Sequence, residues 1–211
     1  MGGVTAERRY MPAASLDVLL PVYDPIMRLL RFSDALQPLI DQAQLAPGHL
    51  ILDVGCGTGT LALLIAAANP QVRIAAIDPD PLALDRARRK ARRAGAPVSF
   101  ARAFGDSLPY ADATFDRVFS SMMFHHVPRA EKPNVLAEIR RVLKPDGRLE
   151  FLDFAGGTHS LLAHVLHGRQ ASASADARLV QRMREAGFVE ARRVATRSTI
   201  AGAIAFYQAR V

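Results

Sequence analysis

Residues 51–59 read Ile51-Leu52-Asp53-Val54-Gly55-Cys56-Gly57-Thr58-Gly59. An apolar run suited to a buried strand passes directly into three alternating glycines, and Thr60 to Ala68 then suits a helix. Glycine permits positive φ and lets the main chain approach a ligand closely. In an open α/β sheet this loop falls at the carboxyl end of a strand, where ligands bind. Thr60 follows the third glycine, so the spacing differs from the Gly-x-Gly-x-x-Gly of dinucleotide sites. A second apolar segment, Ile74-Ala75-Ala76-Ile77, ends at Asp78, 23 residues beyond Gly55. At the tip of the neighbouring strand, that carboxylate can accept both hydroxyls of a ribose lying over the loop, and it disfavours a 2′-phosphate. It equally suits the N-cap of a helix opening at Pro79–Pro81, and the two roles are compatible.

The rest of the chain extends this alternation. Strands are expected at Leu50–Val54, Val72–Ile77, Val98–Ala103, Phe115–Ser121 and Arg148–Phe154. Helices are expected at Pro81–Ala94, from Pro133 with a buried face of Val135, Leu136, Ile139, Val142 and Leu143, and at Asp176–Ala186 with Gly187 as C-cap. Lys144-Pro145-Asp146-Gly147 reads as a turn, and Ser160 to His167 as a short helix. Two last strands, Val189–Thr196 and Thr199–Ala209, are separated by Arg197 and Ser198 alone, which allows a hairpin and not a crossover. The expected fold is α/β: a doubly wound, mostly parallel seven-stranded sheet with a C-terminal antiparallel hairpin that makes one edge strand antiparallel. Residues 46–211 form that domain. Residues 1–45 read as a helical arm or lid, a loose start followed by short helices broken at Pro21, Pro25 and Pro38.

Composition narrows the classes. The 211 residues suffice for one domain and its core. The longest apolar run, Leu61 to Ala68, is far below the ~18 residues of a membrane span. Asp17 interrupts the best candidate for a signal peptide, and Ala6 breaks the myristoylation pattern after Gly2. The single cysteine, Cys56, excludes an intrachain disulfide and a multi-cysteine metal cage, and a cytoplasmic setting is expected. The net charge is +7, and six basic residues lie in one run, Arg86 to Arg93. Ala83, Ala87, Ala91 and Ala94 fall at helical spacing beside it, a stripe that packs on a sheet while the basic residues point outward. That face is either solvated or a patch for nucleic acid or anionic lipid; no aromatic residues interleave to stack bases.

Four segments, ILDVGCGTG, IDPDP, LPYADATFDRVFSSMMFHHV and RVLKPDGRLEFLDF, together resemble the class I S-adenosylmethionine-dependent methyltransferases, in the branch of the ubiquinone/menaquinone and phospholipid N-methyltransferases. The resemblance is close over about residues 45–155. It implies a Rossmann-like fold and S-adenosyl-L-methionine as cofactor. It places Asp53 at the amino end of the cofactor's methionine and gives Gly55, Gly57 and Gly59 close approach to methionine and ribose. Cys56 contributes backbone only, Asp78 the ribose contacts, and Pro79 packs on the adenine. Family members carry a Gly-Asp pair before the Leu-Pro motif. Here Phe104, Gly105 and Asp106 precede Leu108-Pro109, so either Asp106 or Phe104 with backbone groups reads the adenine.

Ser120 and the following Ser121-Met122-Met123-Phe124-His125-His126 lie at a strand's carboxyl end, between cofactor and acceptor. Met123 and Phe124 offer an adaptable apolar wall. His125, then His126, is the candidate general base. Asp153 ends the fifth strand, where it orients an acceptor hydroxyl or amine or else caps a loop. Tyr23 in the arm is a further candidate for acceptor contact. No metal is expected, because adjacent histidines diverge and no carboxylate or cysteine cluster accompanies them.

The absence of an Asn-Pro-Pro-Tyr motif, a Pro-Cys nucleophile and a thiol set discounts amino-methylation of DNA or glutamine, cytosine C5 methylation and arsenite methylation. What remains is methyl transfer to O, N or C of a small-molecule or lipid-like acceptor. A non-catalytic binding module and an RNA methyltransferase using helix 86–93 are the alternatives. A homodimer stays open.

Overall fold

A computed structural model describes residues 33–155, 175–199 and 202–211. The helices expected before residue 33, Tyr23 among them, and the one expected at Ser160–His167 lie outside the described residues. Helix α1 (Ser33–Gln42) leads to β1 (Leu50–Val54), α2 (Thr60–Ala68), β2 (Arg73–Asp78), α3 (Pro81–Ala94) and β3 (Val98–Arg102). Strand β4 (Phe115–Ser121) runs into a 3-10 turn at Phe124–His126, followed by α4 (Lys132–Val142) and β5 (Leu143–Phe154). Helix α5 (Ala175–Glu185) and strands β6 (Val189–Thr199) and β7 (Gly202–Arg210) complete the fold.

The seven strands form one sheet in the order β3-β2-β1-β4-β5-β7-β6. The first five run parallel, and β7 is antiparallel to both neighbours. Chain progression reverses between β1 and β4, so a crevice opens at the carboxyl ends of those two strands. Successive strand residues face opposite sides, and both sides are apolar. Ile51, Phe119, Leu152 and Phe206 meet Leu39 and Ile40 of α1 and Leu61 and Ile65 of α2. Leu52, Val118, Phe151 and Tyr207 meet Leu136 and Ile139 of α4 and Met183 of α5.

Local chemistry sets the helix ends. Asp80 caps α3, its Oδ1 accepting from the Leu82 and Ala83 amides at 2.8 and 3.2 Å. Gly187, with φ +89°, ends α5 by donating to the Arg184 carbonyl while Phe188 donates to Met183.

Five expectations shift. Pro38 lies inside α1 rather than ending it. It removes one backbone donor, and the complete burial of Leu39 and near-complete burial of Ile40 hold the helix against that loss. Lys144–Gly147 belongs to β5 as an excursion: Phe115 pairs Leu143 and Arg117 pairs Arg148, with the register shifting between them. The final hairpin turns later than expected, since Thr199 pairs Gly202, and alternation alone does not mark a turn. The antiparallel strand β7 is one in from the edge, because the hairpin inserts its second strand beside β5. In α3, Ala83, Ala87 and Ala91 are buried with Leu84, whereas Ala94 is exposed at the helix end.

A polar cluster seats α1 on the sheet. Glu150 of β5, fully buried, accepts from Gln42 Nε2 at 2.8 Å and from Gln208 Nε2 at 3.1 Å. The Ala43 carbonyl beyond the helix end accepts from Arg117 Nε at 2.8 Å and from an Arg148 guanidinium nitrogen at 2.7 Å. Two cations thus cover the negative end of the helix dipole.

Candidate active site

The glycine loop hangs from β2. The amides of Gly55 and Cys56 both donate to the Ile77 carbonyl at 2.9 Å. All three glycines have positive φ, for different reasons. A Cβ on Gly55 would lie 2.1 Å from Cγ of Met123, and one on Gly59 would lie 2.9 Å from Cβ of Ala87 in α3. A Cβ on Gly57 would meet nothing within 4 Å: this glycine faces open space. Cys56 is buried, and burial raises its thiol well above the ordinary range, which keeps it protonated.

Two carboxylates flank the loop. Asp53, at 1% exposure, has no well-formed hydrogen bond to either oxygen. Burial, then the Asp78 charge, raises its pKa to about 7, against a smaller opposing pull from the Ala62 amide. Asp78 at the tip of β2 accepts from the Gly57 amide at 2.8 Å and from the Asp80 amide at 2.9 Å. Burial nonetheless lifts it to about 6. The cap of α3 is Asp80, not Asp78, because the helix starts at Pro81, one turn closer to Asp80. Asp78 instead fixes the loop at its most open residue.

The basic run on α3 does not all point outward as expected. Lys90 reaches back to Thr60 Oγ1 at 3.0 Å and Thr58 Oγ1 at 3.4 Å, bracing the loop where it enters α2. Arg88 pairs with Asp85 and donates to the Phe100 carbonyl. Sequence spacing could not mark the Lys90 contacts, which join residues 30 and 32 positions apart.

After β3, Phe104 and Asp106 are half-buried, and a Cβ on Gly105 would touch Val54 and Val135 at 3.4 Å. Pro79 is half-buried, its carbonyl held by Arg102 Nε at 3.0 Å. The loop beyond is tied to α4 by Glu138, which accepts from the Leu108 amide, and by Arg141, which binds Glu138 and Asp112.

The second half of the site follows β4. Ser120 is fully buried, and its hydroxyl has no hydrogen-bond partner among the described residues. Met122 adopts φ +54°, a strained value for a non-glycine residue that turns the chain sharply. Met123 then packs on Gly55, joining the two halves. Phe124 is buried edge-on against Phe151 at 5.3 Å, so it belongs to the core rather than to an acceptor wall as expected. The 3-10 turn directs its ring down onto β5.

His125 and Asp153 meet at the carboxyl ends of β4 and β5. His125 Nδ1 lies 2.6 Å from Asp153 Oδ1, and the His125 amide donates to Oδ2 at 2.9 Å. The Phe154 amide adds a third bond at 2.7 Å. Asp153 is 5% exposed, yet the His125 ring and these donors hold its carboxyl below the usual range against the opposing effect of burial. His126 stacks at 4.0 Å between ring centroids, and Phe154 meets the His125 ring edge-on at 5.1 Å. Among the described residues, no group of three or more His, Cys, Asp or Glu is placed to hold a metal.

A family model described as a methyltransferase domain matches residues 51–147. The demethylmenaquinone methyltransferase of Thermus thermophilus is 37% identical over 139 residues, 64% of this chain and 62% of that protein. The ubiquinone/menaquinone biosynthesis C-methyltransferase of Syntrophotalea carbinolica is 36% identical over 150 residues, 70% of this chain and 62% of that protein. The chain thus spans just under two thirds of the length of these relatives. A solved S-adenosylmethionine-dependent methyltransferase from Aquifex aeolicus shares the fold with TM-score 0.66 at 19% identity, over 83% of this chain and 89% of that one. The donor set fits the cofactor of such proteins: a buried carboxylate lacking a partner suits an ammonium, and the open flank at Gly57 beside Asp78 suits a ribose. In sequence and fold, the chain belongs to the class I S-adenosylmethionine-dependent methyltransferases.

Proposed function

We propose that the protein transfers a methyl group to an oxygen, nitrogen or carbon of a small, partly hydrophobic acceptor. The observation that carries this reading is the His125–Asp153 pair, set across the crevice from the glycine loop and linked to it by Met123 on Gly55. Bound S-adenosylmethionine supplies an electrophilic methyl on a sulfonium. Asp53 would take its ammonium, and Asp78, with the Gly57 backbone, its ribose. Pro79 would pack on the adenine, and either Asp106, or Phe104 with backbone groups, would read it. The protein's task is then alignment and exclusion of water.

Asp153, kept ionised, accepts the Nδ1 proton of His125. That leaves the lone pair on Nε2, which takes the acceptor's proton as the acceptor atom forms its bond to the methyl carbon and the carbon–sulfur bond breaks. His126, stacked on that ring, limits its rotation. The quinone substrates named for the relatives support a small hydrophobic acceptor.

The test is incubation with labelled S-adenosylmethionine and a metabolite extract, followed by identification of the labelled product. Transfer by the wild type that His125→Ala loses, with unchanged affinity for S-adenosylhomocysteine, supports the assignment. A wild type that binds S-adenosylhomocysteine and labels no fraction removes it in favour of a binding module.

A further inference from the structure

Helix α3 carries six basic residues and one acid, a net +5 in a chain of net charge +7. Five of the six basic residues divide into two sets. Arg88 and Lys90 turn back onto the Phe100 carbonyl and the glycine-loop threonines. Arg89, Arg92 and Arg93 are exposed, and no ion pair engages them among the described residues. The one acid within the helix, Asp85, is taken by Arg88 at 3.2 Å. Where the helix starts, close to Asp78 at the rim of the crevice, Leu82 is 47% exposed. At its far end a shallow hollow of about 300 Å³ lies between Arg88 and Arg92 over Ala91, Pro97, Val98 and Phe100. The buried side, Ala83, Leu84, Ala87 and Ala91, holds the helix rigidly on the sheet.

From this arrangement we infer that the exposed face of α3 docks on an anionic lipid surface. Fourteen helical residues present a rigid cationic strip about 21 Å long, enough to meet several head groups at once. Each exposed arginine close to an anionic leaflet is attracted by its negative surface potential, an attraction that falls off within a Debye length. Leu82 supplies an apolar contact at the interface, and the hollow sets the Arg92 guanidinium beside an apolar floor, suited to a phosphate with a glycerol body. A nucleic acid fits less well, because α3 carries no aromatic side chain on which bases could stack. The inference extends the proposed hydrophobic acceptor: a helix starting at the crevice rim would hold the site mouth beside the bilayer that dissolves such an acceptor.

The experiment is flotation of the chain with vesicles of phosphatidylcholine alone or mixed with phosphatidylglycerol. It compares the wild type with the triple variant R89E/R92E/R93E. The wild type should partition to the mixed vesicles at least tenfold more than to phosphatidylcholine, and added salt should weaken this. The variant should lose that preference while keeping wild-type affinity for S-adenosylhomocysteine, which shows that it is folded. Equal partition of wild type and folded variant overturns the inference, as does failure of the wild type to bind mixed vesicles. Tighter, salt-dependent binding of a single-stranded RNA oligomer without vesicle binding reassigns the face to nucleic acid. Because flotation involves no methyl transfer, it stands or falls separately from the proposed activity.

Discussion

The 2.6 Å contact between His125 Nδ1 and Asp153 Oδ1 joins the tips of two adjacent strands with a carboxylate that burial alone would leave neutral. The sign matters. A carboxyl held below its unfolded value contributes stability that is complete above the unfolded pKa and is lost as pH falls through the folded one. Asp153 therefore orients His125 throughout the neutral range.

Asp153→Asn keeps the shape and removes the charge. The amide can present its NH2 toward Nδ1, which favours the wrong tautomer. We expect methyl transfer to fall by about two to four orders of magnitude, the range that general-base catalysis contributes. Affinity for S-adenosylhomocysteine should stay within about twofold. A matched loss of both would mean that Asp153 only shapes the crevice. The comparison needs kcat from single-turnover assays and Kd from calorimetry.

The glycines separate into structural and ligand-facing positions. Gly55→Ala forces a Cβ into Met123 and should destabilise the fold by about 1–3 kcal/mol, the usual range for overpacking. A Cβ at position 57 meets no protein atom, so the effect of Gly57→Val on urea unfolding should stay near the ~1–2 kcal/mol of left-handed strain. Its affinity for S-adenosylhomocysteine should fall at least tenfold. Intact binding by Gly57→Val would move the ligand away from the loop.

Asp53 and Asp78 give a pH dependence of opposite sense to Asp153. Both are raised, to about 7 and about 6, so the native state binds protons that the unfolded state has already lost. Their effect is a stability of the unliganded protein that declines from about pH 4 to pH 7, through the window between the unfolded and folded values. An ammonium ligand prefers the ionised Asp53. Binding of S-adenosylhomocysteine should therefore tighten from pH 6 to pH 8 and release protons to buffer. Asp53→Asn should melt higher than wild type at pH 8 without ligand and lose the pH dependence of binding. Calorimetry in two buffers of different ionisation enthalpy reads the proton release.

The sheet was legible because its strands are bounded by strong local signals: the glycine loop after Val54, Pro81 opening α3, Gly187 closing α5. What sequence could not give were features set by distant partners. Phe124 looked like pocket lining because it stands between Met123 and His125; only the edge-on fit to Phe151 shows it to be core. The hairpin turn slipped because β6 is exposed along most of its length, so no buried periodicity fixed its end. Asp153 read as a lone carboxylate until β4 and β5 came side by side.

Glu150 was equally silent, a single acid within an apolar strand. Its burial is complete, and its pKa is raised to about 7, chiefly by desolvation, with Gln42, Gln208 and the Arg148 and Arg117 charges opposing. Removing it takes the shared acceptor from two amide donors and the 3.7 Å carboxylate partner from Arg148, so Glu150→Ala should cost about 3–5 kcal/mol, as for breaking a buried charged pair. Gln42→Ala alone removes one donor and should cost about 1 kcal/mol. If the contact seats α1 on β5, the two losses are coupled. The double variant should then be more stable than their sum predicts by at least about 0.5 kcal/mol. Urea unfolding of the four proteins at pH 7.5 measures this, and strict additivity would show that α1 is held by Leu39 and Ile40 alone.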